Sequence, residues 1–300
     1  MTTSNGLILV DKPQGLTSHD VVARVRKIMG ERRVGHAGTL DPMATGLLVL
    51  ALGPSTRLLR FAQGERKRYT GTVRLGVHTD SLDADGAVTL EMPVPSLDAE
   101  HATLVAHDML GPQLQTPPMV SALKVAGQRL HVLARQGVEV EREPRAITIH
   151  TFEVRASEDE TLWEFDVECT TGTYVRVLLS DFAQRLGTVG HLSALRRVSS
   201  GKHHVQDALT LEQLERAVQQ GEQVVSAPLS FVEDLERVQL SVDQERRIRM
   251  GQRIELEYVY TANEIAAVDG RGVLVAILRA RDEAWKPELV LPVEPGSQLG

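Results

Sequence analysis

One stretch constrains the chain more than any other: Gly35-His36-Ala37-Gly38-Thr39-Leu40-Asp41-Pro42-Met43-Ala44-Thr45-Gly46, followed by the apolar run Leu47 to Leu52. Three glycines and a proline in a dozen residues exclude a regular helix or strand across it. Helical periodicity precedes the stretch, and a run suited to a buried strand follows it. A loop fixed at both ends by packed elements is a good place to hold a reactive side chain. Its one carboxylate is Asp41. Two readings of that residue compete. Asp before Pro starts turns, with the carboxylate bonding to nearby amides. The sharper reading is a lone catalytic carboxylate, with His36 as a second polar group on the same loop. Gly35 and Gly38 suggest a phosphate cradle, but the spacing matches neither the Walker pattern nor the dinucleotide fingerprint, and no Lys-Ser/Thr follows. Spacing alone leaves the question open.

The segment GHAGTLDPMATGLLVLALG resembles the catalytic motif of the TruB family, tRNA pseudouridine synthases that act on the uridine at position 55. The resemblance implies that Asp41 is the catalytic residue and that His36 lies against the target nucleotide. DKPQGLTSHDVV resembles the family's N-terminal motif, which gives Lys12 and Pro13 a supporting role under the active-site loop. Arg66-Lys67-Arg68-Tyr69 resembles the family's KRY motif, which implies that Tyr69 lies against the target base. GTYVR resembles a further motif, in which Arg176 pairs with the catalytic Asp and Tyr174 contacts substrate. Leu195-Arg196-Arg197 resembles the family's L-R-R segment: Leu195 packs against the flipped base, and the arginines serve phosphate or carboxylate. On spacing alone Tyr69 and Leu195 read as core. Two positions depart from the family pattern: Val120 stands where an aromatic is common, and Thr171 where many members carry Lys.

The implied fold is α+β: a mixed, largely antiparallel sheet forming a pseudouridine synthase catalytic domain over residues 1–233. It carries an inserted RNA-binding thumb at about 112–146. A small C-terminal β-barrel resembling the PUA RNA-binding domain follows over 237–300. Periodicity agrees in outline. Leu7 to Val10 reads as a first strand, and a helix capped by Thr17 or Ser18 buries Val21, Val22 and Val25 before Gly30. Tyr69, Val73 and Leu75 share one strand face, while Trp163, Phe165, Val167 and Cys169 alternate with acidic residues. A helix is expected around Leu97 to Leu110, and another starts near Tyr174 and closes at Gly187. Thr210 with Gln213 marks a capping box. In the last part come a helix from Ser241 to Gly251, a strand from Ile254 to Tyr260, and strands on either side of Asp269-Gly270.

The net charge of −7 is unusual for an RNA enzyme, so its distribution matters. Residues 1–74 hold 12 Lys+Arg against 5 Asp+Glu, and the remainder 21 against 35. Basic charge is concentrated around the Asp41 loop, where it can meet phosphates while the acidic remainder limits nonspecific binding. The single cysteine, Cys169, excludes an internal disulfide and a multi-Cys zinc site. Thr79 to Gly86 is acidic but lacks the glutamate that a calcium loop requires. No cofactor and no metal are expected. The early apolar run is too short for a signal peptide core or a membrane span, so a cytosolic monomer is expected. The resemblance implies the T-arm stem-loop of tRNA as its partner. Two other classes compete: a non-catalytic RNA-binding or RNA-folding protein, and a carboxylate-dependent hydrolase of N-glycosidic bonds.

Overall fold

The computed structural model describes residues 5–293 apart from 63, 65, 121–123, 126–127, 130–137, 139 and 257–259. The first half runs β1 (Gly6–Lys12), α1 (Ser18–Met29), β2 (Val34–Ala37), β3 (Thr45–Leu52), α2 (Leu59–Ala62), β4 (Arg66–Leu75), β5 (Val77–Thr79), β6 (Val88–Glu91), α3 (Ala99–His107) and β7 (Gly111–Gln115). Then come β8 (Lys124–Val125), β9 (Gln128–Arg129), β10 (Arg145–Ala156), β11 (Leu162–Thr170), α4 (Val175–Arg185), β12 (Gly190–Ser200), β13 (His203–His204) and α5 (Leu211–Gln219). The last part holds β14 (Arg237–Gln239), α6 (Val242–Arg249), β15 (Glu264–Val268), β16 (Leu274–Arg281) and β17 (Ala284–Val290).

A mixed sheet in the order β1-β3-β12-β4-β11-β10-β7 is the frame, with β2 added on β3 and β13 on β12. Its strands pair antiparallel except β3 and β12, which run parallel through Arg196↔Thr45 and Arg197↔Gly46. β3 explains the unbroken apolar run Leu47 to Leu52, since it is buried on both faces. Leu48 and Leu50 meet Val21, Val22 and Val25 of α1 and Leu211 and Leu214 of α5. Leu47, Val49 and Ala51 face the other way, toward Leu58, Phe231 and the C-terminal Ala266, Leu274 and Ile277. The inner faces of β4, β10, β11 and β12 pack under α3 and α4, with Val73, Trp163, Phe165, Val167, Leu178 and Phe182 at the centre.

The caps expected at Thr17, Thr210 and Ser241 all form, each as a reciprocal capping box. The helix expected around Leu97 to Leu110 is shorter, because Asp98 caps it at Ala99 and it ends at His107. β12 has no counterpart in the periodicity: its centre carries Arg196 and Arg197, which no hydrophobic pattern places in mid-sheet. Much of the expected thumb, including Ser121-Ala122-Leu123 and the pattern from Leu130 to Ala134, lies outside the described residues. In the C-terminal part, β14-β15-β16-β17 form a four-stranded sheet. The expected strand from Ile254 to Tyr260 shows one bridge, Ile254↔Trp285, and its residues 257–259 lie outside the described part. Among the described residues, this sheet is open. No described helix is long and apolar enough to cross a membrane.

Candidate active site

The Asp41 loop leaves β2 at Ala37 and enters β3 at Thr45. Three elements pin it. At the start of α1, Ser18 Oγ accepts the Leu40 N–H at 2.9 Å and donates to the Leu40 carbonyl at 3.1 Å. Lys12, fully buried at the end of β1, donates from Nζ to the carbonyls of Pro13, Leu16 and Pro42. The Gly15 N–H adds a second bond to the Pro42 carbonyl at 2.9 Å. From β12, buried Arg197 donates from Nε to Leu47 O at 2.7 Å and from Nη2 to Gly38 O at 3.0 Å. The Ala44 N–H closes a turn onto Asp41 O at 3.1 Å. The turn reading of Asp-Pro therefore holds for the backbone, which leaves the carboxylate itself free to point elsewhere.

It points to Arg176. Arg176 Nη2 lies 3.2 Å from Asp41 Oδ2, and Nη1 lies 3.1 Å from Asp83 Oδ2. The same guanidinium donates to the carbonyls of Ser81 at 2.8 Å and Val120 at 2.9 Å. One buried cation is thus shared by two carboxylates, a geometry that fixes it firmly. Asp83 is itself held, accepting from Ser81 Oγ at 2.6 Å and from the Asp85 N–H at 3.2 Å. The acidic Thr79–Gly86 loop thus supplies Arg176 with a second carboxylate. Loss of water raises the Asp41 pKa above its ordinary 3.8; Arg176 opposes this and Asp83 adds to it. The Asp41 side chain keeps 39% of its surface open, on the side facing a recess.

That recess, of about 350 Å³, is lined by Asp41, Tyr69, Tyr174, Arg176 and Leu195, with Gly38 to Leu40, Lys67, Arg145 and Thr171 to Thr173 around them. Five of the residues expected at a site therefore converge from four separate segments. Tyr69 and Leu195 are nearly buried side chains on neighbouring strands, so the core reading and the recess reading of each describe the same position. Burial raises the Tyr69 pKa, against the influence of Arg197. Gln115 on β7 orients the Tyr174 backbone, accepting its N–H at 2.7 Å and donating to its carbonyl at 3.1 Å.

His36, Lys12 and Pro13 do not line the recess. His36 sits on β2 with its ring edge-on to His19 at 5.5 Å, and Nδ1 has no hydrogen-bond partner among the described residues. Burial, with His19 and Arg197 adding, lowers its pKa to about 4, so the imidazole is neutral. Arg196 and Arg197 part company. Arg196 makes a two-bond pair with Asp11 at 3.0 and 2.6 Å, while Arg197 serves backbone carbonyls. Sequence reasoning gave no site role to Asp83 or Gln115, and to Ser18 only that of a candidate helix cap. Lys67 was legible in part, since a period of two puts it on the face of Tyr69.

The chain was compared with known proteins. Residues 26–175 match the family model for the N-terminal domain of TruB family pseudouridylate synthases, and residues 176–244 that for the tRNA pseudouridylate synthase B C-terminal domain. The tRNA pseudouridine synthase B of Streptococcus pneumoniae serotype 4 is 41% identical over 292 residues, 95% of this chain and 99% of that protein. The protein of that name from Syntrophotalea carbinolica is 49% identical over 211 residues, 70% of this chain and 69% of its own. The fold is like that in an H/ACA RNP bound to a substrate RNA containing 2′-deoxyuridine, with a TM-score of 0.72 at 22% identity over 96% of this chain and 85% of that one. With one buried arginine aiming a loop carboxylate into a recess, and family models matching from Arg26 to Gln244, the chain belongs to the TruB family of pseudouridylate synthases.

Proposed function

We propose that this chain isomerises uridine to pseudouridine in tRNA, at position 55 of the T-loop, with Asp41 as the catalytic residue. The observation that carries this reading is the Asp41 carboxylate, held by Arg176 and open to a recess flanked by Tyr69 and Leu195. The reaction breaks the bond from N1 to ribose C1′ and forms one from C5 to C1′. C5 loses a proton and N1 ends protonated, so no group donor or redox partner is needed. The uridine leaves its stack first, at a cost of a few kcal/mol. Tyr69 and Leu195 sandwich the base, Tyr174 bounds it, and neutral His36 lies against the target nucleotide. Lys12 and Pro13 hold the loop from below. Asp41 either attacks C1′ or takes the 2′ proton. Arg176 keeps the carboxylate aimed in either route. Residues 1–233 form the synthase domain with its thumb, and 237–300 a PUA-like RNA-binding module. The protein works in the cytoplasm, as a monomer and without a cofactor or metal.

Asp41→Asn tests this. It preserves size while removing both nucleophile and base, so pseudouridine formation on a T-arm stem-loop should fall by at least 10³-fold, about 4 kcal/mol of transition-state stabilisation. Binding should change far less, because phosphate contacts remain. A folded Asn variant that turns over at the wild-type rate sinks the assignment. Free uracil released by the wild type, without pseudouridine, would point to the hydrolase instead.

A further inference from the structure

Arg66, Lys67 and Arg68 precede Tyr69 on β4, and the strand period separates them. Arg66 and Arg68 stand on the outer face, paired with Glu168 at 3.0 Å and Asp166 at 2.7 Å. Lys67 stands on the inner face with Tyr69 and is only 7% exposed. Its ammonium lies against the backbone of Gly38, where a Cβ would come within 2.8 Å of Nζ. The φ of +87° is why position 38 needs glycine.

Four buried cations surround the loop, and three of them have partners: Arg176 pairs with Asp41 and Asp83. Lys12 is used by three carbonyls, and Arg197 by two. Among the described residues, Lys67 Nζ has neither a carboxylate nor a hydrogen-bond acceptor, and it borders the recess. Burial, with Arg197 adding, lowers its pKa to about 8. The groups facing it are Arg197 on β12, Cys169 on β11 and Tyr69 on its own strand. Among the described residues lining the recess, Asp41 is the one carboxylate, against the cations Lys67, Arg145 and Arg176. It is already engaged by Arg176. A buried charge is tolerated where a counter-charge arrives.

We infer that the Lys67 ammonium binds a phosphate oxygen of the substrate RNA beside the target nucleotide, and so sets how deeply that nucleotide seats between Tyr69 and Leu195. A neutral base edge would satisfy the donor without supplying the missing charge, whereas a phosphodiester does both. Arg145, exposed at the rim, meets the same strand from outside. This rests on the RNA-modifying reading above and goes beyond it by naming the anchor.

The test neutralises each side in turn. Lys67→Met is compared with wild type on T-arm stem-loops carrying one methylphosphonate at a time around the target uridine. Lys67→Met should weaken binding roughly tenfold and reduce the slope of log affinity on log salt by about one. One methylphosphonate position should weaken the wild type by a similar factor and leave Lys67→Met unmoved. If every position weakens both proteins alike, or the variant keeps wild-type affinity and slope, the inference is overturned. Should the melting curve show that Lys67→Met does not fold, Lys67→Gln replaces it. The wild-type scan still decides: with no position standing out, the anchor does not exist. Unchanged binding with a slower saturated rate would assign Lys67 to chemistry and also overturn it. Failure of the wild type to form pseudouridine strikes the proposed function instead, and the binding measurements remain readable.

Discussion

At the scale of single residues, Asp41 and Arg176 make opposite demands. Burial raises the Asp41 pKa, so the carboxylate the reaction needs is lost at a higher pH than for an ordinary carboxylate of pKa 3.8. The single-turnover rate should therefore fall as pH drops through that raised value; an acid limb no higher than that of an ordinary carboxylate would contradict it. The same shift has a sign for stability. Asp41 favours the fold as the protonated acid, fully so below its ordinary pKa, and that contribution is lost as pH rises through the raised one. Arg176 works the other way, as the charge that two carboxylates share. Arg176→Met strands Asp83, only 4% exposed, and should destabilise the protein by roughly 3–5 kcal/mol. Denaturant unfolding measures this, and a loss below about 1 kcal/mol would mean that Asp83 finds another partner. That Asp41 and Arg176 carry the site could be read from their motifs. That Asp83 completes it could not, because no local spacing ties a turn-rich acidic loop to a helix so far along the chain.

At the scale of elements, the loop is aimed by what precedes and follows it. α1 begins at Ser18, and the side chain there holds Leu40 rather than the helix, whose cap is Thr17. Ser18→Ala should thus leave the helix intact and release the loop. Two hydrogen bonds to buried backbone groups are lost, at roughly 1–3 kcal/mol of stability. Displacing Asp41 by about 1 Å would slow the chemistry by roughly 10²-fold. Equal helical circular dichroism with a slower rate at saturating RNA is the expected result. An unchanged rate would show that Lys12 and Arg197 suffice. β12 plays the matching part from the other side, bringing Leu195 to the recess and Arg197 beneath Gly38. At Gly46, φ is +99° and a Cβ would meet Arg197 O at 2.4 Å, so the loop can enter β3 there only as glycine.

At the scale of the molecule, the C-terminal sheet is part of the support of the catalytic sheet. Ala266, Leu274, Ile277, Leu289 and Leu291 pack in one cluster with Leu47, Val49, Ala51 and Leu58. Arg57 donates to Val290 O at 2.7 Å, and Arg60 pairs with Glu264 at 2.8 Å. Ending the chain after Glu233 should therefore lower the melting temperature by at least about 10 °C, since each kcal/mol shifts a protein of this size by roughly 2–4 °C. Below that temperature the saturated single-turnover rate should persist, because every described residue lining the recess precedes the cut. More enzyme should be needed to saturate. A saturated rate that collapses while the truncated protein is still folded would place part of the catalytic machinery in the C-terminal module.

Local interactions are what the sequence by itself determined. Capping boxes at Thr17, Thr210 and Ser241, the alternation of β11, and the two-faced burial of Leu47 to Leu52 each depend on residues a few positions apart. So does the Asp41 turn, and a motif long enough to be specific marked its role. Tertiary structure decided where each charge ended. Arg196 reaches Asp11 while its neighbour Arg197 is buried on carbonyls, and Arg66 and Arg68 find carboxylates while Lys67 is left facing the recess. The cost of a buried charge depends on the partners that distant strands bring to it, and no window of sequence contains them.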